Sequence, residues 1–115
     1  MHAEVKVWAD DIRTPPDNTW LWFKDSAGVL RWMETRIANG LGVGDTLSLD
    51  HDLGGDDTTR PIVLWMCENE VWAKDIRIHS ANPVGRDWLE GMVSRYAPEG
   101  TTVRGLTFGE RMRRP

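Results

Sequence analysis

Three short polar clusters hold the residue types that do chemistry. They are Asp10-Asp11 with Arg13 close behind, Asp50-His51-Asp52, and His79-Ser80-Ala81-Asn82-Pro83-Val84-Gly85-Arg86. Clustered carboxylates supply hard oxygen ligands to a divalent cation such as Mg²⁺ or Mn²⁺, which keeps several waters and shares phosphate oxygens. On that chemistry Asp10, Asp11, Asp50 and Asp52 are the candidate metal ligands, with Asp50, nearest its strand end, the central one. A histidine near its ordinary pKa exchanges a proton at neutral pH. His79 is therefore the first candidate general base or acid and His51 the second, so that His79, Asp50 and His51 form the candidate catalytic set. In the third cluster Asn82 reads as a helix N-cap, Pro83 as the first helical residue, and Gly85 as keeping the first turn open. A helix start presents unpaired N–H groups and the positive end of the dipole to an anion. Ser80, Asn82, Gly85 and Arg86 are the candidate phosphate contacts, and Arg13 offers a second guanidinium fork.

Each cluster also has an ordinary reading. Adjacent aspartates commonly form a solvated turn, a lone histidine is more often structural than catalytic, and either arginine could simply balance the aspartates. Gly54-Gly55 reads as a flexible turn, since no Gly-Lys-Ser/Thr follows it. Ser80 lacks the elbow of an acyl-transfer nucleophile.

The elements that must position these clusters follow from periodicity. Residues 4–9 alternate Val5, Val7 and Ala9 against Glu4, Lys6 and Trp8, which predicts a strand ending at Asp10-Asp11. Pro15 and Pro16 stiffen the next loop, and residues 19–23 form a short second strand. The gap between these strands is too short for a full crossover helix, so the first helix is missing or reduced to a turn. Residues 26–38 predict a helix capped by Ser26, with a stripe of Leu30, Met33 and Ile37 and a stop at Gly40. Residues 45–50 predict a strand, Pro61 opens a helix reaching to about Trp72, and residues 74–80 predict a fourth strand. A helix from Asn82 or Pro83 to Tyr96 carries Trp88, Leu89, Met92, Val93 and Tyr96 on one stripe, and residues 101–107 predict a weak edge strand. Strands alternating with amphipathic helices imply an α/β fold, with a mainly parallel sheet covered on both faces. In such sheets ligands gather beyond the carboxyl ends of the strands. All three polar clusters fall at such ends.

The 115 residues suit one domain, placed at 1–108, with a basic tail over 109–115. The formal net charge of −4 argues against broad binding to a DNA or RNA backbone, and leaves room for a small phosphorylated ligand in a local pocket. The single Cys67 sits in an apolar run and reads as a small buried hydrophobe. The start of the chain has no secretory pattern and the longest apolar run is too short to span a membrane, so the expected setting is the cytoplasm. Seven tryptophans are unusual; the ordinary reading is core and groove packing, the sharper one a stacking or partner surface.

Taken together, Asp10-Asp11-Ile12-Arg13-Thr14-Pro15-Pro16, Ser48-Leu49-Asp50-His51-Asp52-Leu53-Gly54 and His79 to Arg86 resemble the signatures of the cyclic-phosphate-processing receiver-like domains. These are small bacterial and bacteriophage relatives of response-regulator receivers. The resemblance covers about residues 5–96. It implies a receiver-like, flavodoxin-like three-layer sandwich with a five-stranded sheet in the order 2-1-3-4-5, from which this chain departs in having its first helix reduced or missing. It also implies that Asp10 and Asp11 stand where a receiver has its metal-binding acids, Asp50 where it has its phospho-accepting aspartate, and Ser80 where it has a Ser/Thr. Processing of cyclic phosphates, with RNA-end repair as a setting, comes with the resemblance. The chain departs from an ordinary receiver in having no lysine over residues 101–115 and in adding His51, His79 and the Pro-Val-Gly-Arg helix start. Those departures weigh against phospho-relay signalling.

The leading expectation is a metal-assisted phosphoesterase acting on a 2′,3′-cyclic phosphate RNA end or a cyclic nucleotide, with Mg²⁺ or Mn²⁺ as cofactor. The partner is then a phosphorylated small molecule or an RNA end. The alternatives are a module that binds such a ligand without cleaving it, a receiver phosphorylated on Asp50, and an interaction protein built on its tryptophans.

Overall fold

The structure, a computed structural model, describes residues 4–105. The predicted last two residues of the edge strand, the boundary at 108 and the basic tail lie outside them. The chain runs β1 (Lys6–Ala9), β2 (Trp20–Phe23), α1 (Ser26–Ala38), β3 (Thr46–Leu49), α2 (Arg60–Asn69), β4 (Asp75–Ile78), α3 (Pro83–Tyr96) and β5 (Thr102–Gly105). The five strands form one sheet in the order β2-β1-β3-β4-β5, with every neighbouring pair parallel. This is the receiver-like, flavodoxin-like arrangement.

Register sorts the side chains into two faces. One face carries the rows Val7, Leu21, Leu47, Ile76, Val103 and Ala9, Phe23, Leu49, Ile78, Gly105. The apolar core lies here, with Val7, Ala9, Leu47, Leu49, Ile76 and Ile78 fully buried against Val29 and Met33 of α1, Ile62, Val63 and Met66 of α2, and Leu89 and Val93 of α3. All three helices among the described residues belong to this side. Each connects a strand to one lying further in the same direction across the sheet, and right-handed crossovers then put every helix on one face. Helices on both faces were expected. The connection that would cross the other face joins β1 to β2, and residues 10–19 make it without a helix.

Among the described residues the second face is covered by side chains and by that loop. Trp8 lies edge-on to Trp20 with ring centroids 5.6 Å apart. Lys6 and Arg77 sit over the Trp20 ring. The indole N–H of Trp8 donates to the Arg13 carbonyl at 2.8 Å, which ties the loop down. Six tryptophans are buried or packed against the core. Trp22 is the exposed one, and its N–H donates to the Asp10 carbonyl.

Two boundaries differ from expectation. Asp25, not Ser26, caps α1: its carboxylate accepts from the Gly28 N–H at 2.7 Å. The Ser26 N–H and hydroxyl are instead both taken by Asp57. Helix α2 stops at Asn69, because Glu70 turns left-handed at φ 55° and closes the helix on the Met66 carbonyl. Trp72 therefore lies past the helix. Asn82 caps α3 as expected, accepting from the Gly85 N–H at 3.0 Å with Pro83 in the first turn. No helix among the described residues is long and apolar enough to cross a membrane. Cys67 is a free, part-buried thiol whose pKa burial pushes up.

Candidate functional site

The carboxyl ends of β1, β3 and β4 bring the three polar clusters to one place. Asp10 follows β1 directly and its carboxylate is fully buried. One oxygen, Oδ1, accepts the N–H groups of Ile12 and Arg13 at 2.9 and 2.8 Å. The other, Oδ2, faces His79 Nε2 at 3.0 Å. Asp50 follows β3, where the Ala9 carbonyl holds its backbone N–H. Its carboxylate meets the Ser80 hydroxyl, and Arg13 Nη1 lies 3.3 Å from its Oδ2.

Asp10, Asp11 and Asp50 can each turn a ligand oxygen to within 4.8 Å of the others. Three hard oxygen donors at this spacing fit Mg²⁺ or Mn²⁺. The electrostatics fit as well. Burial and the neighbouring Asp10 charge push the Asp50 pKa up, against the opposing pull of Ser80 and Arg13. A bound divalent cation would relieve that crowding. Gly54, at φ +90°, makes room for Asp11, since a Cβ there would stand 3.0 Å from Asp11 Oδ2. The first glycine of the pair that read as a flexible turn thus has a steric duty beside the acids.

An open cleft of about 310 Å³ lies over this group, lined by Asp11, Ile12, Arg13, Asp50, Asp52, Gly54, Ala81 and Asn82. Asp52 is on the wall, outside the three-acid group. Its Oδ1 lies 2.9 Å from His51 Nδ1, and its Oδ2 accepts from the Asn82 amide at 3.1 Å. These bonds, His51 foremost, hold its pKa below the usual carboxylate range.

Neither histidine lines the cleft. His79 is 2% exposed, stacked flat on Trp8 at 3.9 Å, with Ser48 Oγ on Nδ1 at 2.8 Å and Asp10 on Nε2. Burial lowers its pKa to about 4, more than the Asp10 carboxylate raises it, so the ring is neutral at pH 7. With one ring proton available, Nε2–H donates to Asp10 and Nδ1 accepts the Ser48 hydroxyl. His51 has turned inward after the strand end. Arg60 Nε–H donates to its Nε2 at 2.8 Å, which leaves Nδ1–H to donate to Asp52. Its ring lies under the start of α3, and a Cβ on Gly85 would come within 2.3 Å of it.

The candidate phosphate contacts divide. Arg13 and Asn82 line the cleft. Ser80 is fully buried, bonded to Asp50 and accepting the Asn82 N–H at 3.0 Å. The Gly85 N–H is spent on the Asn82 side chain. Arg86 does not line the cleft; its Nη1 reaches the Ser80 carbonyl at 3.5 Å and its Nε lies 4.0 Å from Glu90 Oε2. Sequence reasoning overlooked Ser48, Arg60 and Glu90. Ser48 had a signal, because its place in the strand puts it on the same face as Trp8, opposite the core row.

A parallel sheet in this order, with acids gathered at the ends of its first and third strands, defines a receiver-like domain. The particular kind follows from the whole pattern of the chain. It belongs to the cyclic-phosphate processing receiver domains, whose family pattern matches residues 5–95. No individual curated protein and no solved structure matched the chain.

Proposed function

We propose that this domain is a metal-assisted phosphoesterase that opens a cyclic phosphate, either a 2′,3′-cyclic RNA end or a cyclic nucleotide. The observation that carries the reading is the meeting of Asp10, Asp11 and Asp50, with Asp11, Asp50 and Arg13 lining one cleft and Asp10 buried beside them. Asp10, Asp11 and Asp50 would hold Mg²⁺ or Mn²⁺, which supplies Lewis acidity toward a phosphoryl oxygen and lowers the pKa of a water. Arg13 and the Asn82 corner of α3 orient the phosphate. The Asn82 and Gly85 backbone N–H groups are occupied, so at this corner the backbone N–H of Ala81, which lines the cleft, is the one offered to its oxygens. His79 acts as a positioning residue: it donates to Asp10 and fixes that carboxylate. His51 does the same for Asp52 on the cleft wall, donating to its Oδ1.

The test is incubation with 2′,3′-cyclic nucleotides and a cyclic-ended oligonucleotide, with Mg²⁺, with Mn²⁺ and with chelator, followed by separation of products. Metal-dependent ring opening that Asp10→Asn or Asp50→Asn abolishes is the expected result. Recovery of intact ligand from a folded, metal-loaded protein sinks the enzyme reading. One feature favours a second reading, capture without cleavage: neither histidine lines the cleft, and both ring nitrogens of each are already engaged.

A further inference from the structure

Behind the cleft, where α3 crosses the ends of β4 and β5, lies a charged pair that the site just described does not use. Arg86 and Glu90 are one helical turn apart on α3, with side chains 13% and 21% exposed. Their closest approach, Nε to Oε2, is 4.0 Å. Both of those atoms are buried and neither has a hydrogen-bond partner. Buried charged groups are ordinarily paired at hydrogen-bond distance, because an unmet donor or acceptor keeps its desolvation cost. This pair is near enough to attract and too far apart to bond.

The end of the sheet leaves room for Glu90. Its Oε2 lies over Gly105, where an added Cβ would come within 1.8 Å of it. Any larger residue at the end of β5 would expel the carboxylate. At its other end Arg86 is already directed at the site: Nη1 lies 3.5 Å from the Ser80 carbonyl, and Ser80 is the residue whose hydroxyl meets Asp50. The guanidinium is thus held one residue behind the wall of the cleft, by a slack ion pair on one side and one long hydrogen bond on the other.

We propose that Glu90, seated on Gly105, is a latch that keeps Arg86 withdrawn, and that a phosphate in the cleft draws the guanidinium off Glu90 and onto its own oxygens. This rests on the phosphate-site reading above and adds a positioning residue to it. Releasing the pair sacrifices no formed hydrogen bond between the two side chains, whereas a guanidinium fork on a phosphate gains charge-assisted ones. The latch lowers apparent phosphate affinity by the fraction of molecules in which Arg86 is withdrawn.

The experiment is titration with orthophosphate in the presence of Mg²⁺, followed by NMR of the backbone amides and of the Arg86 Nε–H. Glu90→Gln keeps the shape and removes the charge, and is expected to tighten phosphate binding by about threefold or more. Gly105→Ala should act in the same direction by displacing Glu90, and Arg86→Gln should weaken binding. In an Arg86→Gln background, Glu90→Gln should change nothing. The Arg86 Nε–H signal should shift with phosphate in the wild type. Equal affinities in the wild type and Glu90→Gln, with melting temperatures matched, overturn the latch and leave the metal-assisted reading standing. A Glu90→Gln effect that survives the loss of Arg86 also overturns it, as a general charge effect. Failure of every variant to bind orthophosphate overturns the latch and the phosphate site together.

Discussion

His79 holds its place by committing both ring nitrogens, one to Ser48 and one to Asp10, under the face of Trp8. Burial drops its pKa from 6.5 to about 4, so across that window the unfolded chain takes up a proton that the native ring refuses. The stability contributed by this group is full above pH 6.5 and drains away as pH falls toward 4, by up to about 3 kcal/mol. Asp50 acts in the opposite sense. Its raised pKa means that the native carboxylate takes a proton before the unfolded one, so its share of stability rises as pH falls toward the ordinary carboxylate value. His79→Gln should therefore flatten the loss of stability between pH 6.5 and 4 in urea melts followed by tryptophan fluorescence. An unchanged slope would remove the neutral buried imidazole from the account. Asp50→Asn should raise stability in chelator by ending the contest with Asp10. A loss of stability would show that Arg13 and Ser80 outweigh the crowding.

The start of α3 shows how one element sets several side chains at once. Asn82 uses Oδ1 to cap the Gly85 N–H and its amide to hold Asp52, while its own N–H is taken by Ser80. Gly85 is required because His51 occupies the space beneath it, 2.3 Å from where a Cβ would stand. Gly85→Ala should cost about 1–3 kcal/mol through overpacking. His51→Ala should recover most of that cost in the double variant, because it removes the ring that collides. Additive losses in the two variants would mean that some other contact makes the glycine necessary. At α1 the cap is Asp25, so Asp25→Ala should cost about 1 kcal/mol in a thermal melt. The sequence pointed to Ser26 because serine is a favoured cap and stands one position nearer the apolar stripe. What decided otherwise is tertiary: Asp57, 31 residues away, claims both Ser26 donors.

At the scale of the molecule, the strands, the helices and the three polar strand ends were legible because each rests on local pattern: alternation, helical stripes, and polar groups directly after apolar runs; the sheet order came only with the family resemblance, because strand pairing is not a local property. The short connection over residues 10–19 also announced the lost first helix. It did not announce that the remaining helices all cover one face, which follows only when strand order is combined with crossover handedness. Asp10, Asp11 and Asp50 were legible as a group, whereas the direction of His79, His51 and Arg86 depends on contacts between elements and was not. The acids sit on the ends of two strands and their shared repulsion is spread through the central strands, so a cation bound there should stabilise the whole domain. Mg²⁺ at ten times its Kd should add about 1.4 kcal/mol. For a chain of this size that is a rise in Tm of several degrees, saturating with concentration. Two controls separate a site from general ionic strength: Na⁺ at matched ionic strength should give little shift, and Asp50→Asn should start higher in chelator yet gain little from Mg²⁺. A rise of equal size in wild type and Asp50→Asn would place the cation elsewhere and leave the three acids as a cluster balanced by Arg13 alone.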